Sequence, residues 1–338
     1  MHPPLEHWLA QTIALGGSDL HLSAGVPPMA RVLGELRILH NTPVRSDVLA
    51  AQLQALLPSW QASQDHDGAL AIDGLGRFRV NVFAQSRGWS SAWRCIPNNL
   101  PSLQELNAPV GVTEWLAQAQ GLLLVTGATG SGKSTTLAAL LAHLNRTQSL
   151  NILTLEDPIE FVHHSQRSLV QQRNVPGHSA DFATALRAAL RQDPDVVLVG
   201  ELRDLETVQL ALRAAETGHL VMASLHTRSA TQAVERLVDI FPDGTKALVR
   251  QQLSLSLLGV VHQVLCKSAD GLRRVAAHEV LFASPAVRNL LRENKTAQLP
   301  NALQTGAQWG MQTLAQSLAH MVAQGLITAQ EAQRHANS

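Results

Sequence analysis

The chain has 338 residues, 45% of them hydrophobic and 15% charged, so it can bury more than one core and is not a disordered tail. Lys+Arg and Asp+Glu number 26 each, a formal net charge of zero that leaves no bulk basicity to argue for nucleic acid. The two cysteines, Cys95 and Cys266, lie far apart with no Cys or His partner at metal spacing, which argues against a zinc site and a disulfide framework and fits a reducing compartment.

The first ten residues, MHPPLEHWLA, lack a basic start and a long apolar stretch, so they do not read as a signal peptide. Elsewhere no apolar run approaches the roughly 20 residues a membrane span needs. A cytosolic protein is expected. Residues 1–97 read as a separate α+β domain. A helix is expected over 5–15, ended by Gly16-Gly17, and residues 18–22 alternate as a strand does. Pro27-Pro28 marks a turn, and 29–33 with 35–39 around Gly34 read as a hairpin. Ser46 caps a helix running to about Leu57. Strands follow over 69–73, 77–83 and 90–96, with Arg79, Arg87 and Arg94 on or beside them. Pro97 to Pro101 opens a linker placed at 98–112, and 113–338 forms the second domain.

That domain alternates strand and helix. Strands are expected over 122–126, 152–155, 196–199, 220–225 and 275–280, with helices such as 182–191 and 205–217 between them. The pattern is that of a mostly parallel sheet with helices on both faces, an α/β fold whose ligands bind at the carboxyl ends of the strands. Beyond Val280 the chain reads as helical.

The strongest local signal follows the first of these strands. Gly127-Ala128-Thr129-Gly130-Ser131-Gly132-Lys133-Ser134 fits G-x-x-x-x-G-K-[ST], a phosphate-binding loop, and Thr135 begins a helical stretch. Glycines let backbone N–H groups curl around an anion, and the helix adds its positive end. Lys133 would reach the β- and γ-phosphates of ATP, and Ser134 would hold Mg²⁺. With Gly near 7% of average sequence, the four fixed positions match by chance in roughly one chain in a hundred of this length. Three further clusters follow strands. Glu156, Asp157 and Glu160 lie just past one, where Pro158 forbids a continuing central strand. The apolar run 196–199 ends in Gly200-Glu201, which leaves Glu201 as the natural base. His219 and His226 bracket another strand, and, seven apart, they cannot be paired by periodicity alone.

Together these segments resemble the secretion ATPase superfamily that powers type IV pili and type II secretion, most closely its PilT-type retraction branch. SDLHLSAGVPPMARVLGEL (18–36) is similar to the N-terminal domain signature, and GRFRVNVFAQSRG (76–88) to the segment that supplies arginines. TLEDPIEFVH (154–163) resembles the Asp box, DPDVVLVGELRDLET (193–207) the atypical Walker B, and TGHLVMASLHT (217–227) the His box. AVRNLLRE (286–293) is similar to the AIRNLIRE signature of the retraction branch, with Val287 and Leu291 in place of Ile. Gln192 stands where an acid is common. Extension and secretion members usually carry a four-cysteine zinc insertion, which two cysteines cannot make.

The resemblance implies a PAS-like N-terminal domain and a RecA-like P-loop ATPase domain with a helical C-terminal part. It implies a homohexamer that hydrolyses ATP with Mg²⁺ and removes pilin from a pilus base through an inner-membrane platform protein. Glu201 would polarise the attacking water, and Glu160 would support metal and water. His219 and His226 would sense the γ-phosphate. Arg79 and Arg94 would act as arginine fingers, and Arg236 as a further arginine beside the γ-phosphate. Arg288 and Arg292, four apart on a helix begun by Pro285, would form a basic stripe that couples nucleotide state to the pilus. An extension or secretion ATPase, an accessory retraction paralogue, a nucleic-acid motor and a regulatory module without turnover remain the rival readings.

Overall fold

The computed structural model describes residues 4–58, 60, 65–96, 100–109, 111–118 and 120–336. The chain divides into two units, Met1–Asn99 and Leu100–Ser338. Residues 97–99, where the linker is expected to open, lie outside the described residues.

The first unit contains α1 (Leu5–Ala14), β1 (Asp19–Ser23), β2 (Met29–Val32), β3 (Glu35–Ile38), α2 (Ser46–Leu56), β4 (His66–Ile72), β5 (Gly76–Gln85) and β6 (Gly88–Ile96). Its six strands form an antiparallel sheet in the order β3-β2-β1-β6-β5-β4. In α1, Leu5, Trp8, Leu9 and Thr12 fall on one buried face. That face joins Leu49 and Leu53 of α2 over Leu20, Phe78, Val80, Val82 and Trp93 of the sheet. Strand alternation turns the neighbours of these residues, Arg79 and Arg94 among them, to the other face. The two arginines stand directly opposite each other across β5 and β6.

The second unit runs α3 (Gly111–Leu116), β7 (Gly121–Thr126), α4 (Lys133–Thr147), β8 (Asn151–Glu156), β9 (Leu169–Asn174), α5 (Phe182–Ala189), β10 (Val196–Val199), α6 (Leu205–Glu216), β11 (Leu220–Leu225), α7 (Ala230–Asp239), α8 (Asp243–Ser256), β12 (Leu257–Lys267), β13 (Arg274–Phe282), α9 (Pro285–Arg292), α10 (Leu299–Thr305), α11 (Leu314–Ala323) and α12 (Ala329–Ala336). Seven strands pair in the order β13-β12-β7-β11-β10-β8-β9, and all are parallel except β13. Every residue of β7, β10 and β11 is buried, as a strand covered on both faces requires. Helices α3 and α4 cover one face through Trp115, Leu137, Leu140, Leu141 and Leu144. Helices α5 to α10 cover the other, with Leu186, Leu212, Val234, Leu253 and Leu291 in one core.

The sheet has two strands more than the sequence predicts. Strand β9 is a polar edge strand, LVQQRN. Strand β12 follows α8 without a break, and its apolar run reads as more helix. Beyond Phe282 the named elements are helical, as expected, with one isolated bridge between Val280 and Gln312. No described helix is long and apolar enough to cross a membrane.

Candidate functional site

Parallel pairing brings four strand ends together. Thr126 ends β7 in register with Leu225, the last residue of β11, and Val199 of β10 pairs with both Ala223 and Leu155. The segments that follow these strands therefore share one sheet edge. They hold the loop 127–132, His226, Glu201 and Glu160.

The loop is shaped from behind by β12. Gly127 has φ +147° and Gly132 φ +89°, in the region that favours glycine. A Cβ at Gly127 would run into the Gln263 carbonyl oxygen and Ser131 Oγ, and one at Gly132 would sit 2.8 Å from Gln263 Nε2. The Gln263 side chain donates to the Ser131 carbonyl at 2.7 Å and accepts from Thr136 Oγ1 at 2.7 Å. One buried amide thus fastens the loop to the first turn of α4. His262, next along β12, lies 3.2 Å from Thr126 Oγ1. Burial pulls its pKa down to about 4, and that of His278 on β13 likewise. Gln263 and His262 escape the sequence reading because β12 does.

Lys133 donates to the carbonyls of Gly127 and Ala128, both at 2.9 Å, and lies 3.4 Å from His226 Nδ1. On its far side His226 Nε2 is 3.4 Å from Glu201 Oε1. An ammonium can only donate, so Nδ1 accepts and the imidazole proton sits on Nε2, facing the carboxylate. Lysine, histidine and glutamate form one chain. Burial lowers the Lys133 pKa, while the Glu201 and Glu160 carboxylates pull it back up. Arg203 grips the other Glu201 oxygen through Nε at 2.8 Å and Nη2 at 2.7 Å. Glu201, Arg203, His226 and Arg236 line a cavity of about 160 Å³, closed by Leu202, Leu225 and Ile240. That volume suits the end of a ligand rather than all of one.

Of the Asp-box carboxyls, Glu156 is half-buried at the end of β8. It accepts from Thr154 Oγ1 at 2.6 Å and Gln172 Nε2 at 3.1 Å, and burial pushes its pKa up. The backbone N–H of Glu160 also donates to it, which ties the loop to the end of β8. Ser134 is exposed in the first turn of α4, and Thr135 is half-buried behind it. Ala128, Thr129 and Gly130 form the exposed crest of the loop. Ser131 Oγ is buried without a hydrogen-bond partner. First-turn N–H groups, an unpartnered hydroxyl, two glycine-only conformations and an ammonium make an anion cradle, which fits the phosphate tail of a nucleotide.

His219 stands away from this site. The six residues of β11, about 20 Å of strand, separate His219 from His226. The His219 carbonyl accepts from Gly121 at the opposite end of β7, and its Nδ1 lies 3.1 Å from the Ala214 carbonyl. Of the two histidines expected to sense the γ-phosphate, only His226 stands beside Lys133 and Glu201 within this chain. Arg79 and Arg94 belong to the first unit, where they pair with Asp67 at 3.1 Å and Asp19 at 2.9 Å.

Residues 100–334 match the family described as type II/IV secretion system protein. The type IV pilus retraction ATPase PilT of Pseudomonas aeruginosa is 48% identical over 333 residues, covering 97% of this chain and 96% of that protein. The twitching motility protein of Neisseria gonorrhoeae is 48% identical over 316 residues, covering 92% and 84%. A crystal structure of the pilus retraction motor PilT with bound ADP superposes with a TM-score of 0.88 at 41% identity, covering 100% of this chain and 98% of that one. With its phosphate loop, its acid after β10 and its histidine after β11 in the matched region, the chain belongs to the type II/IV secretion system protein family, in the branch that holds PilT.

Proposed function

We propose that this chain is an ATP-hydrolysing motor that drives retraction of a type IV pilus from the cytoplasmic side of the inner membrane. The observation that carries the reading is the Lys133–His226–Glu201 chain at the mouth of the phosphate cradle, in a protein matching PilT along nearly its whole length. The first unit is read as PAS-like and the second as a RecA-like P-loop domain with a helical C-terminal part.

In this reading the N–H groups of 127–135 hold the phosphates, and Lys133 leaves its two loop carbonyls for the β- and γ-phosphate oxygens. Bound Mg²⁺ neutralises charge on those oxygens. Its protein ligands would be Ser134 and, through water, Glu160 and Glu201. Among the described residues no group of three or more His, Cys, Asp or Glu could hold a metal alone, and Mg²⁺ on a nucleotide needs only one or two carboxylates. Glu201 accepts the proton of the attacking water, with Arg203 and His226 fixing its two oxygens. Arg236 faces the same cavity. Arg79 and Arg94 act as fingers from a neighbouring copy in a homohexamer. The Arg79–Asp67 pair is exposed and worth about 0–1 kcal/mol, so its release costs little, whereas Arg94 pairs with the buried Asp19 and costs more to release. Force passes to pilin indirectly, through an inner-membrane platform protein. The reading assigns the chain neither zinc nor a specific nucleic acid.

The test is a clean deletion in the native host, scored by electron microscopy for pilus number and on agar for twitching. Excess pili with lost twitching, restored by the wild-type gene and not by Lys133→Ala, is the expected result. Bald cells would make the chain an extension motor. Normal pili with normal twitching would remove it from the pilus.

A further inference from the structure

Glu279 stands on β13, directly across from His262 of β12. Its Oε1 accepts the N–H of Ala230, the first residue of α7, at 2.7 Å. Burial pushes the Glu279 pKa up, and the backbone N–H groups of Ala230 and of Leu314, the first residue of α11, pull it back down. First-turn N–H groups have no acceptor within their own helix, and the positive ends of two helices favour a carboxylate between them. Helix α7 has its own cap, Ser229, but that hydroxyl serves Gln232 N. The Ala230 N–H therefore depends on Glu279.

What hangs from these two helix starts differs. Helix α7 begins four residues after His226 and carries Arg236 about 9 Å along its axis, where Arg236 lines the cavity shared with Glu201 and His226. Helix α11 belongs to the C-terminal helices and is further tied to β13 by Ser317 Oγ, which accepts from His278 N at 3.1 Å. On the strand beside β13, Gln263 shapes the phosphate loop. One carboxylate thus joins the helix that aims Arg236 to the helices at the far end of the chain, on the strand pair that supports the loop.

We propose that Glu279 is a positioning residue for ATP hydrolysis. It touches no reacting atom and acts through Ala230 on the placement of Arg236, while Leu314 makes α11 answer to the same geometry. The inference rests on the ATPase reading above. Replacing Glu279 with Gln keeps the size but leaves one oxygen to serve two donors and turns an NH₂ toward the other. Small misplacements of a positioned group cost up to about 10²-fold in rate.

The experiment uses the full-length protein with Mg²⁺-ATP turnover, binding of a fluorescent ADP analogue, and thermal unfolding. Glu279→Gln should lower kcat by about 10- to 100-fold with ADP-analogue affinity within about threefold of wild type. Glu279→Asp, which keeps the charge, should recover part of the rate, and it carries the test if the Gln variant does not fold. The deciding readout is a double-mutant cycle. If Glu279 acts through Arg236, then Glu279→Gln adds no further loss in an Arg236→Ala background. Wild-type kcat in Glu279→Gln, or losses that multiply in the double variant, would overturn the proposal. An inactive wild-type protein would overturn the ATPase reading, and this proposal with it.

Discussion

Glu201 is held on both oxygens, by Arg203 and by His226, before any substrate enters the argument. A carboxylate so fixed is preorganised to meet a water, and the amide of Glu201→Gln preserves its shape without accepting a proton. That variant should bind ATP with wild-type affinity and lose 10²–10⁴-fold in turnover, the range typical of a lost general base. Turnover within about threefold of wild type would move the base to Glu160. The buried histidines give a second prediction at this scale. Burial holds His262 and His278 at about 4, below the usual value of 6.5. The unfolded chain therefore takes up protons first as pH falls. The stability these groups permit is full above about pH 6.5 and is lost as pH falls toward 4, by up to roughly 1.4 kcal/mol per pH unit for each histidine. Denaturant unfolding at pH 7 and pH 5 should show a steep loss, and His262→Gln should make it shallower. An unchanged slope would mean that His262 is already protonated in the folded state or solvated there.

Helix α9 shows how a correct element can hide two different jobs. Pro285 opens it as its sequence suggests, Ser284 caps it, and Val287 and Leu291 are buried. The basic stripe, however, divides. Arg288 is half-buried and donates from Nη1 to the carbonyls of Ser254 and Leu255, at 2.7 and 2.9 Å, where α8 ends. Arg292 is exposed and reaches Asn289. Arg288→Ala should therefore destabilise the fold by about 1–3 kcal/mol, the range for hydrogen bonds lost from a charged group. Arg292→Ala should stay within about 0.5 kcal/mol. Denaturant midpoints check both. If Arg292→Ala alone abolishes retraction with ATPase intact, coupling to the pilus belongs to Arg292. Legibility follows the same division between local and distant pairing. The loop 127–134, the acid after 196–199 and helix α9 are written in short stretches, where glycine, proline and capping chemistry act over a few residues. Strand β12 is not, because LLGVVHQVLCK is a buried run that continues an amphipathic helix, and periodicity cannot separate the two. With β12 go Gln263 and His262. His219 and His226 show the limit of a motif, which names both histidines although the strand between them sets them at opposite ends of β11. Arg203 and Glu279 lie in or beside strands legible in the sequence, but their partners are set by packing.

For the whole molecule, the assembly reading predicts complementation. If Arg79 and Arg94 serve a neighbour's nucleotide, Arg79→Ala subunits and Glu201→Gln subunits are each inactive alone but form some competent interfaces when mixed. Recovery of ATPase in mixed rings, scaling with the mixing ratio, is the expected result. Absence of recovery in rings confirmed to be mixed would count against action between subunits. The strand order of the second unit has a consequence of another kind, for the order in which the chain can be built. The first unit pairs all its strands within residues 19–96, so its sheet is complete once that stretch has left the ribosome. Strand β7 has no such neighbours. It waits for β11, which begins at Leu220, and for β12, which ends at Lys267. Such distant pairings close late and slowly, because the intervening chain must be ordered first. The phosphate loop is synthesised early, yet Gln263, the amide that shapes it, arrives among the last residues of the sheet. A nascent chain halted before β12 carries the whole loop motif without the amide that fastens it to α4, and such a truncated chain should bind a fluorescent ADP analogue more weakly than the full chain.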